Sequence, residues 1–260
     1  MELSGADVEV TTRHMVMGVR DLVGASDGYF VLGTRMSAPV PGDPMRGWQP
    51  RIYEWYDITA DDEKRRAAWY AYAPHYVADP HTLALVHRAG TDRVHLRRDL
   101  VDDRTWYACA QVNEVFRPAR ISDRIVGGFV LTPSLELYVG LDRRGRGRPF
   151  GADARETMRA CLQGLRWLHR RVAWSYGLLG AEQALSPRER RVLRGLLRGW
   201  SEKQLAHELQ ISAASAHQYV VMLYRKLGVA SRAELFVRWQ NGGGAAINRP
   251  IRNWCRSAAR

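Results

Sequence analysis

The stretch LSPRERRVLRGLLRGWSEKQLAHELQISAASAHQYVVMLYRKLGVASRAEL, residues 185–235, decides the fold of the C-terminal part of this chain. A serine stands three positions before a glutamate or glutamine at Ser186, Ser201 and Ser231, and this spacing is typical of a capping box. Pro187 is suited to the first position of the first helix. We therefore predict a domain of four short helices.

The second and third of these helices are predicted to form a helix-turn-helix. Ser212 is the expected N-cap of the third helix, which extends to about Leu227 and ends at Gly228. The small Ala206 allows close helix packing, and Ile211 fills the turn. Helical spacing directs one apolar row inward: Ala216, Val220, Leu223 and Leu227. The opposite face, with His217 on its flank, is the one that a DNA major groove would contact: Ala214, Gln218, Val221 and Arg225.

The net charge of +12 is concentrated at the C-terminal end. Residues 185–260 contain 14 Lys and Arg against 4 Asp and Glu, a net of +10, whereas the rest contains 25 against 23, a net of +2. This asymmetry favours a polyanionic partner for the C-terminal part alone.

Several motifs of this stretch resemble the LuxR/GerE (NarL-type) DNA-binding domain. They are the L-[ST]-x-R-E start at Leu185, the S-x-x-x-[IL]-A helix at Ser201, the I-S turn at Ile211 and the K-L-G-V-x-S-R close at Lys226. The resemblance implies that His217, Gln218 and Val221 contact bases. It also implies that Ser215 and Lys226 contact phosphates. It also implies a homodimer on inverted half-sites of double-stranded DNA. The full set of candidate DNA-binding residues is Ser212, Ser215, His217, Gln218, Tyr219, Val221, Arg225 and Lys226.

Three positions depart from this family pattern. The family commonly has lysine at the position of His217, histidine at that of Tyr219 and glycine at that of Gln210. Gln218 favours adenine through bidentate bonding, and His217 weakens the electrostatic attraction that lysine would supply. The operator sequence therefore has to be measured.

Residues 1–152 are predicted to form an α+β sensor domain, with an antiparallel sheet and flanking helices. An initial helix precedes a strand at 29–33, a second strand spans 48–56, and a helix is expected from Asp61 to Tyr72. Two further strands, 125–131 and 135–141, form the clearest hairpin. The ending R-P-F-x-x-D-A-R-E after this hairpin resembles the end of a GAF domain. Trp69, Tyr72 and Asp79-Pro80 weakly resemble the autoinducer-binding domains of quorum-sensing regulators, which is the alternative.

Aromatic residues of the sensor region could line a ligand cavity or fill its core. They are Trp48, Trp55, Tyr56, Trp69, Tyr72, Tyr76, Trp106 and Tyr107. Our candidate pocket residues are Trp55, Trp69, Tyr72 and Trp106. The histidines in this region share no helix or strand face, so we predict no metal site and no cofactor: His75, His81, His87 and His95.

A helix from Asp153, as N-cap, is predicted to continue to Val172 with an unbroken apolar stripe, and Gly177 and Gly180 predict a hinge after it. Part of that stripe would cover the sheet, and the rest would pair with a second chain. The predicted boundaries are a sensor at 1–152, a connecting and dimerisation segment at 153–180, the helix-turn-helix domain at 181–240 and a disordered basic tail at 241–260.

The motifs of other function classes are absent from the sequence. No nucleophile elbow, Walker loop or H-E-x-x-H occurs, so we predict no enzyme. A phosphorylated receiver domain needs a lysine late in its sheet, and Lys64 is the only lysine before residue 201. No apolar run is long enough to span a membrane, and we expect a cytoplasmic protein. The chain is thus predicted to be a transcription regulator that senses a small molecule or a partner, or alternatively a ligand-free dimerisation scaffold fused to a DNA-binding module.

Overall fold

The N-terminal part of the chain forms an antiparallel sheet in a computed structural model, which describes residues 8–36, 41–56, 80–179 and 184–241. Its strands are β1 Asp27–Arg35, β2 Trp48–Tyr56, β3 Arg93–Leu96, β4 Ile121–Thr132 and β5 Leu135–Arg144. The five strands lie in the order β2-β1-β5-β4-β3, and every neighbouring pair is antiparallel. The strands predicted at 29–33 and 48–56 and the predicted hairpin are confirmed.

The helices that accompany the sheet are short, apart from the first and the last. They are α1 Val8–Leu22, α2 Pro80–Val86, α3 Arg97–Leu100, α4 Asp103–Ala108 and α5 Ala152–Gly164, with a π-helical turn at Val112–Phe116. Asp102 caps α4 by accepting a bond from the Thr105 backbone N–H at 2.6 Å. The helix predicted from Asp61 to Tyr72 lies outside the described residues, as do Trp69, Tyr72, His75, Tyr76 and Asp79.

One face of the sheet is apolar and is covered by α1 and α5. Its side chains on the three central strands are almost completely buried: Phe30, Leu32, Ile125, Leu137, Val139 and Leu141. A Cβ atom at Gly28 would lie 2.5 Å from the Val16 side chain, and one at Gly127 would lie 3.3 Å from Met158. Both glycines therefore let a helix approach the sheet closely.

The opposite face is aromatic and charged, although it is also largely buried. A Cβ atom at Gly140 would lie 2.0 Å from the Tyr29 ring, so the missing side chain makes room for that ring. Arg124 and Asp142 face each other across β4 and β5, and two hydrogen bonds of 2.6 and 2.8 Å join them. Burial of such charges is tolerated because each is paired and hydrogen-bonded.

The chain divides into two compact units: the first is residues 13–165, and the second joins the start of the chain, up to Thr12, with the residues from Arg166 onward. Leu165, the last residue of the first unit, separates α5 from α6 (Arg166–Ser175). The prediction of one continuous helix from Asp153 to Val172 is therefore wrong. Leu165 leaves the helical conformation (φ −104°, ψ 19°) directly after Gly164, a residue that weakens helices. The N-cap is Gly151, so the prediction of Asp153 as N-cap is also wrong, and Asp153 lies within the first turn.

Four helices of the second unit correspond to the predicted DNA-binding domain: α7 Pro187–Leu197, α8 Glu202–Leu209, α9 Ala213–Leu227 and α10 Arg232–Gln240. Ser186 and Ser201 form complete capping boxes, as predicted. Ser231 caps α10 by accepting a bond from the Glu234 N–H. The Glu234 carboxylate, however, accepts from the Ala230 N–H and not from the Ser231 N–H, so the third box is only half formed.

Helix α6 belongs to the same unit as these four helices. Its Trp174 ring lies 5.5 Å from the Trp239 ring of α10, between ring centroids. The Leu185 N–H donates to the Tyr176 carbonyl at 2.8 Å, and both side chains are buried. The described part of the segment predicted as a hinge is thus packed, while Gly180 lies outside the described residues.

Candidate functional site

Helices α8 and α9 are joined by a tight turn that requires an unusual backbone conformation. Gln210 adopts φ 53° and ψ 52°, the left-handed region that favours glycine. The Ile211 N–H then donates to the Ala206 carbonyl at 3.0 Å, and Ser212 caps α9 by accepting from the Ser215 N–H. Ala206 is buried and Ile211 half-buried, as their predicted roles in the turn require.

The two sides of α9 are as different as predicted. Its inward row is almost inaccessible to solvent: Ala216, Val220, Leu223 and Leu227. Four predicted DNA-facing residues are exposed: His217, Gln218, Val221 and Arg225. Val221 leaves 51% of its surface exposed, which is high for an apolar residue in the middle of a helix. This face is therefore open to a partner.

The remaining candidate DNA-binding residues are partly engaged within the domain. The hydroxyls of Ser212 and Ser215 lie 2.9 Å apart at the start of α9. Tyr219 is half-buried, and its ring centroid lies 6.0 Å from the Arg188 guanidinium. That guanidinium also donates to the Leu209 carbonyl at 2.9 Å, so it links α7 to the end of α8.

Lys226 has an acidic partner that its sequence position did not reveal. Its ammonium lies 2.6 Å from the Glu189 carboxylate, whose side chain is only 9% exposed. Burial alone would raise the pKa of Glu189, but the bonds from Lys226 and from the Ser186 N–H outweigh it and hold that pKa below its ordinary value. A phosphate contact at Lys226 would compete with this ion pair.

His217 also has a partner on the neighbouring helix. Its Nδ1 lies 3.1 and 3.3 Å from the two carboxylate oxygens of Glu202, the first residue of α8. Both side chains remain exposed, at 63% and 45%. The residue that was predicted to contact bases, and that departs from the family pattern, therefore lies within hydrogen-bond distance of an acidic residue.

A cavity of about 460 Å³ opens on the charged face of the sheet in the first unit. Side chains from four strands of the sheet and from α2 line it. These are Tyr29 and Val31 of β1, Trp48 and Tyr53 of β2, Arg124 and Val126 of β4, Tyr138 of β5, and His81, Leu85 and Val86 of α2. This volume is in the range of small-molecule sites. Trp48 was among the aromatic residues considered from the sequence, whereas Tyr29, Tyr53 and Tyr138 were missed. Their alternation along the strands, on the same face as Arg124, was the available signal.

The two described candidate pocket residues do not themselves line this cavity. Trp55 packs against the rings of Tyr29 and Tyr53, at centroid distances of 5.1 and 5.3 Å. Trp106 is 1% exposed and lies 5.6 Å from the His81 ring. Each therefore supports residues of the cavity wall.

Two buried arginines on the charged face of the sheet are paired with carboxylates, whereas Arg51, which also lines the cavity, donates to the Thr34 hydroxyl at 2.9 Å. Asp142 raises the pKa of Arg124 against the effect of burial, so this arginine stays charged. Arg93 bonds to Glu136 at 2.8 Å and to the Tyr138 hydroxyl at 3.2 Å, and burial raises the pKa of Tyr138. Burial, then Arg124 and Arg97, lower the pKa of His81 well below its ordinary value, so this imidazole is neutral.

Comparison with known proteins gives a match for the second unit. Residues 183–239 match the GerE family, described as bacterial regulatory proteins of the luxR family. Over 56 residues, or 22% of this chain, the sequence is 38% identical to the "Probable HTH-type transcriptional regulator GfsR" of Streptomyces halstedii. The match spans only 23% of that relative's length.

Two solved structures resemble larger parts of the chain at low identity. One is "SdiA in complex with octanoyl-rac-glycerol", 14% identical with a TM-score of 0.46, covering 91% of this chain and 88% of that one. The other is the VqsR LBD domain from Pseudomonas aeruginosa, 12% identical with a TM-score of 0.41, covering 64% of this chain and 87% of that one. No helix within the described residues is long and apolar enough to cross a membrane. The C-terminal helices of this chain, at residues 183–239, are a helix-turn-helix domain of the luxR family.

Proposed function

We propose that this chain is a cytoplasmic, sequence-specific transcription regulator that binds double-stranded DNA as a homodimer. The observation that carries the proposal is the exposed outer face of α9, which has polar and basic side chains above a fully buried apolar row. Helix-turn-helix domains place this face in the major groove. The net charge of +10 over residues 185–260 supports binding to a polyanion.

Different side chains of this face suit different parts of a DNA duplex. The Gln218 amide can form two bonds to adenine, and the exposed Val221 can contact a thymine methyl group. Arg225 is exposed beside them and suits a phosphate. Ser212 and Ser215 lie at the N-terminus of α9, where backbone N–H groups also attract phosphate.

Selection of bound duplexes from random DNA with the full chain tests this function. The parent should enrich an inverted repeat, and Gln218→Ala should relax preference at one base pair in each half-site by about tenfold. Gln240→Ala is the matched control, because this exposed glutamine ends α10 and lies outside the proposed face. Failure of the parent chain to enrich any sequence would refute the proposal.

The first unit is proposed to sense an uncharged, largely apolar small molecule in its cavity. Aromatic and aliphatic side chains form most of the wall, and Arg124 is already bonded twice to Asp142. An anionic ligand that bound at Arg124 would have to displace that carboxylate and leave it buried without a partner, which is unfavourable.

Native mass spectrometry of the purified chain tests the sensing role. A retained small molecule should be present in the parent and lost from Val31→Phe, which places a ring in the cavity wall. Val10→Phe adds the same ring at an exposed position and should retain the ligand. A parent chain that retains nothing, and that also fails to bind uncharged hydrophobic probes, would instead be a dimerisation scaffold.

A further inference from the structure

The pair formed by Glu202 and His217 determines which ring nitrogen of His217 can face a partner. Nδ1 lies 3.1 Å from one carboxylate oxygen of Glu202 and 3.3 Å from the other. Within the described residues, the hydrogen bonds and ion pair of the His217 ring are all made with Glu202 through Nδ1. The imidazole is therefore held on one side by α8. Its Nε2, on the other side of the ring, forms no hydrogen bond within the described residues.

A carboxylate can only accept hydrogen bonds, so the Nδ1 that it contacts must carry a hydrogen. A neutral imidazole has only one N–H, and its other nitrogen is then an acceptor. Whenever the ring is neutral, the pairing with Glu202 thus makes the free Nε2 of His217 an acceptor. A lysine at this position could only donate.

This difference matters in the major groove because bases present different groups there. Adenine and cytosine each offer an exocyclic amino donor, whereas guanine offers the N7 and O6 acceptors. An acceptor at Nε2 is complementary to adenine or cytosine and faces an unpaired acceptor at guanine. A lysine has the opposite preference.

We infer that Glu202 is a specificity-determining positioning residue, which makes His217 select an adenine or cytosine amino group and reject guanine at one strand position of each half-site. This inference rests on the proposed DNA-binding function. Glu202 does not need to touch DNA for this role, because it acts through the tautomer of His217. A pair this exposed contributes little to stability, so its effect should appear in base preference and leave the melting temperature unchanged.

The test compares the DNA preferences of full-length variants, all measured at the same mildly alkaline pH of about 8. The parent should favour adenine or cytosine over guanine by about tenfold at the position read by His217. Glu202→Gln should reduce that ratio to about threefold or less, because a carboxamide can also donate to Nδ1 and allow the other tautomer. Glu208→Gln is the matched control, since it removes an exposed carboxylate from the same helix. It should change affinity for all duplexes alike.

Two further measurements separate the tautomer effect from a general change of charge. In a His217→Ala background, Glu202→Gln should have no effect on base preference. Replacing the selected base by its analogue without the exocyclic amino group should weaken binding of the parent about tenfold, but not binding of His217→Ala.

The possible results separate this inference from the proposed function. A parent chain that selects no sequence overturns the proposed function and this inference with it. A parent chain that selects a sequence, with Glu202→Gln and Glu208→Gln showing the same base preferences, overturns this inference alone.

Discussion

The two units of this chain use arginine in different ways. In the first unit Arg93, Arg97 and Arg124 are buried, and each lies beside a carboxylate of the same unit. In the second unit several arginines instead donate to backbone carbonyl oxygens near the ends of neighbouring helices. These pairs are Arg188 with Leu209, Arg232 with Leu196, and Arg238 with Leu227, although Arg238 also lies 3.3 Å from the Glu234 carboxylate.

This difference explains the uneven distribution of charge along the sequence. A carboxylate partner cancels the charge of a buried arginine, whereas a carbonyl partner leaves the positive charge in place. Arg124 can therefore line the cavity of the first unit without attracting anions to itself. The second unit fastens its helices together and keeps the positive charge that attracts DNA. The predictions that follow test this contrast, from the largest expected effect on stability to the smallest.

Removing the carboxylate partner of a buried arginine should have the largest effect. Asp142→Asn leaves the Arg124 guanidinium buried without a charged partner, so it should lower the free energy of unfolding by about 3–5 kcal/mol. Urea denaturation followed by circular dichroism measures this change. Asp21→Asn is the control, because its pair with Arg20 lies at the surface and should contribute less than about 1 kcal/mol. Equal effects of the two substitutions would refute the contrast.

Acid should destabilise the first unit through His81. The pKa of this buried imidazole is lower in the folded chain than in the unfolded one, so the unfolded chain binds the proton first as the pH falls. Stability should be complete above about pH 6.5 and decline by about 1.4 kcal/mol per pH unit below it. His95, whose pKa burial also lowers, acts in the same direction.

The comparison of His81→Phe with the parent isolates this contribution. Denaturation midpoints measured between about pH 8 and pH 5 should fall less steeply for the variant, because phenylalanine cannot titrate. The same slope in both proteins would show that His81 is not the group that titrates.

Loss of the Lys226 ammonium should have an intermediate effect on stability. Lys226→Met leaves the nearly buried Glu189 without its cation, so the free energy of unfolding should fall by about 1 kcal/mol. Thermal unfolding of the full chain measures this change. If stability were unchanged but DNA binding became weaker, the result would support the prediction that Lys226 contacts a phosphate and would contradict a stabilising role for its ion pair with Glu189.

Removal of the neighbouring Arg225 side chain should have the smallest effect on stability. This arginine is exposed, so Arg225→Met should change the free energy of unfolding by less than about 0.5 kcal/mol. It should nevertheless weaken binding to every duplex and reduce the slope of log K against log salt by about 0.9. An unchanged slope would show that Arg225 contacts no phosphate.

Local patterns in the sequence predicted most of the elements, because the relevant contacts lie within a few residues. The caps at Ser186, Ser201 and Ser212 and the inward row of α9 followed from spacing alone. Four of the five strands, β1, β2, β4 and β5, were predicted from apolar runs, alternation and turn residues, whereas the short β3 was not predicted. These features depend on local backbone geometry, which the neighbouring residues largely determine.

Contacts between distant residues could not be predicted in the same way. The partner of Arg124 depends on the register of a hairpin, and the partner of Lys226 depends on how α7 packs against α9. The break at Leu165 was missed because the apolar stripe continues through it. The choice of Trp55 and Trp106 as pocket residues identified the aromatic face of the first unit, but not the side chains that reach the cavity.

The carboxylate of Glu189 has a consequence for the motions of the DNA-binding unit. It accepts a bond from the Ser186 N–H at the start of α7 and contacts the Lys226 ammonium near the end of α9. Fraying of either helix end would break the ion pair between Glu189 and Lys226, which joins the two ends. The start of α7 and the end of α9 should therefore open together as one local event. The last turn of the helix that is proposed to read DNA is therefore kept from fraying by the first turn of a helix outside the proposed reading face.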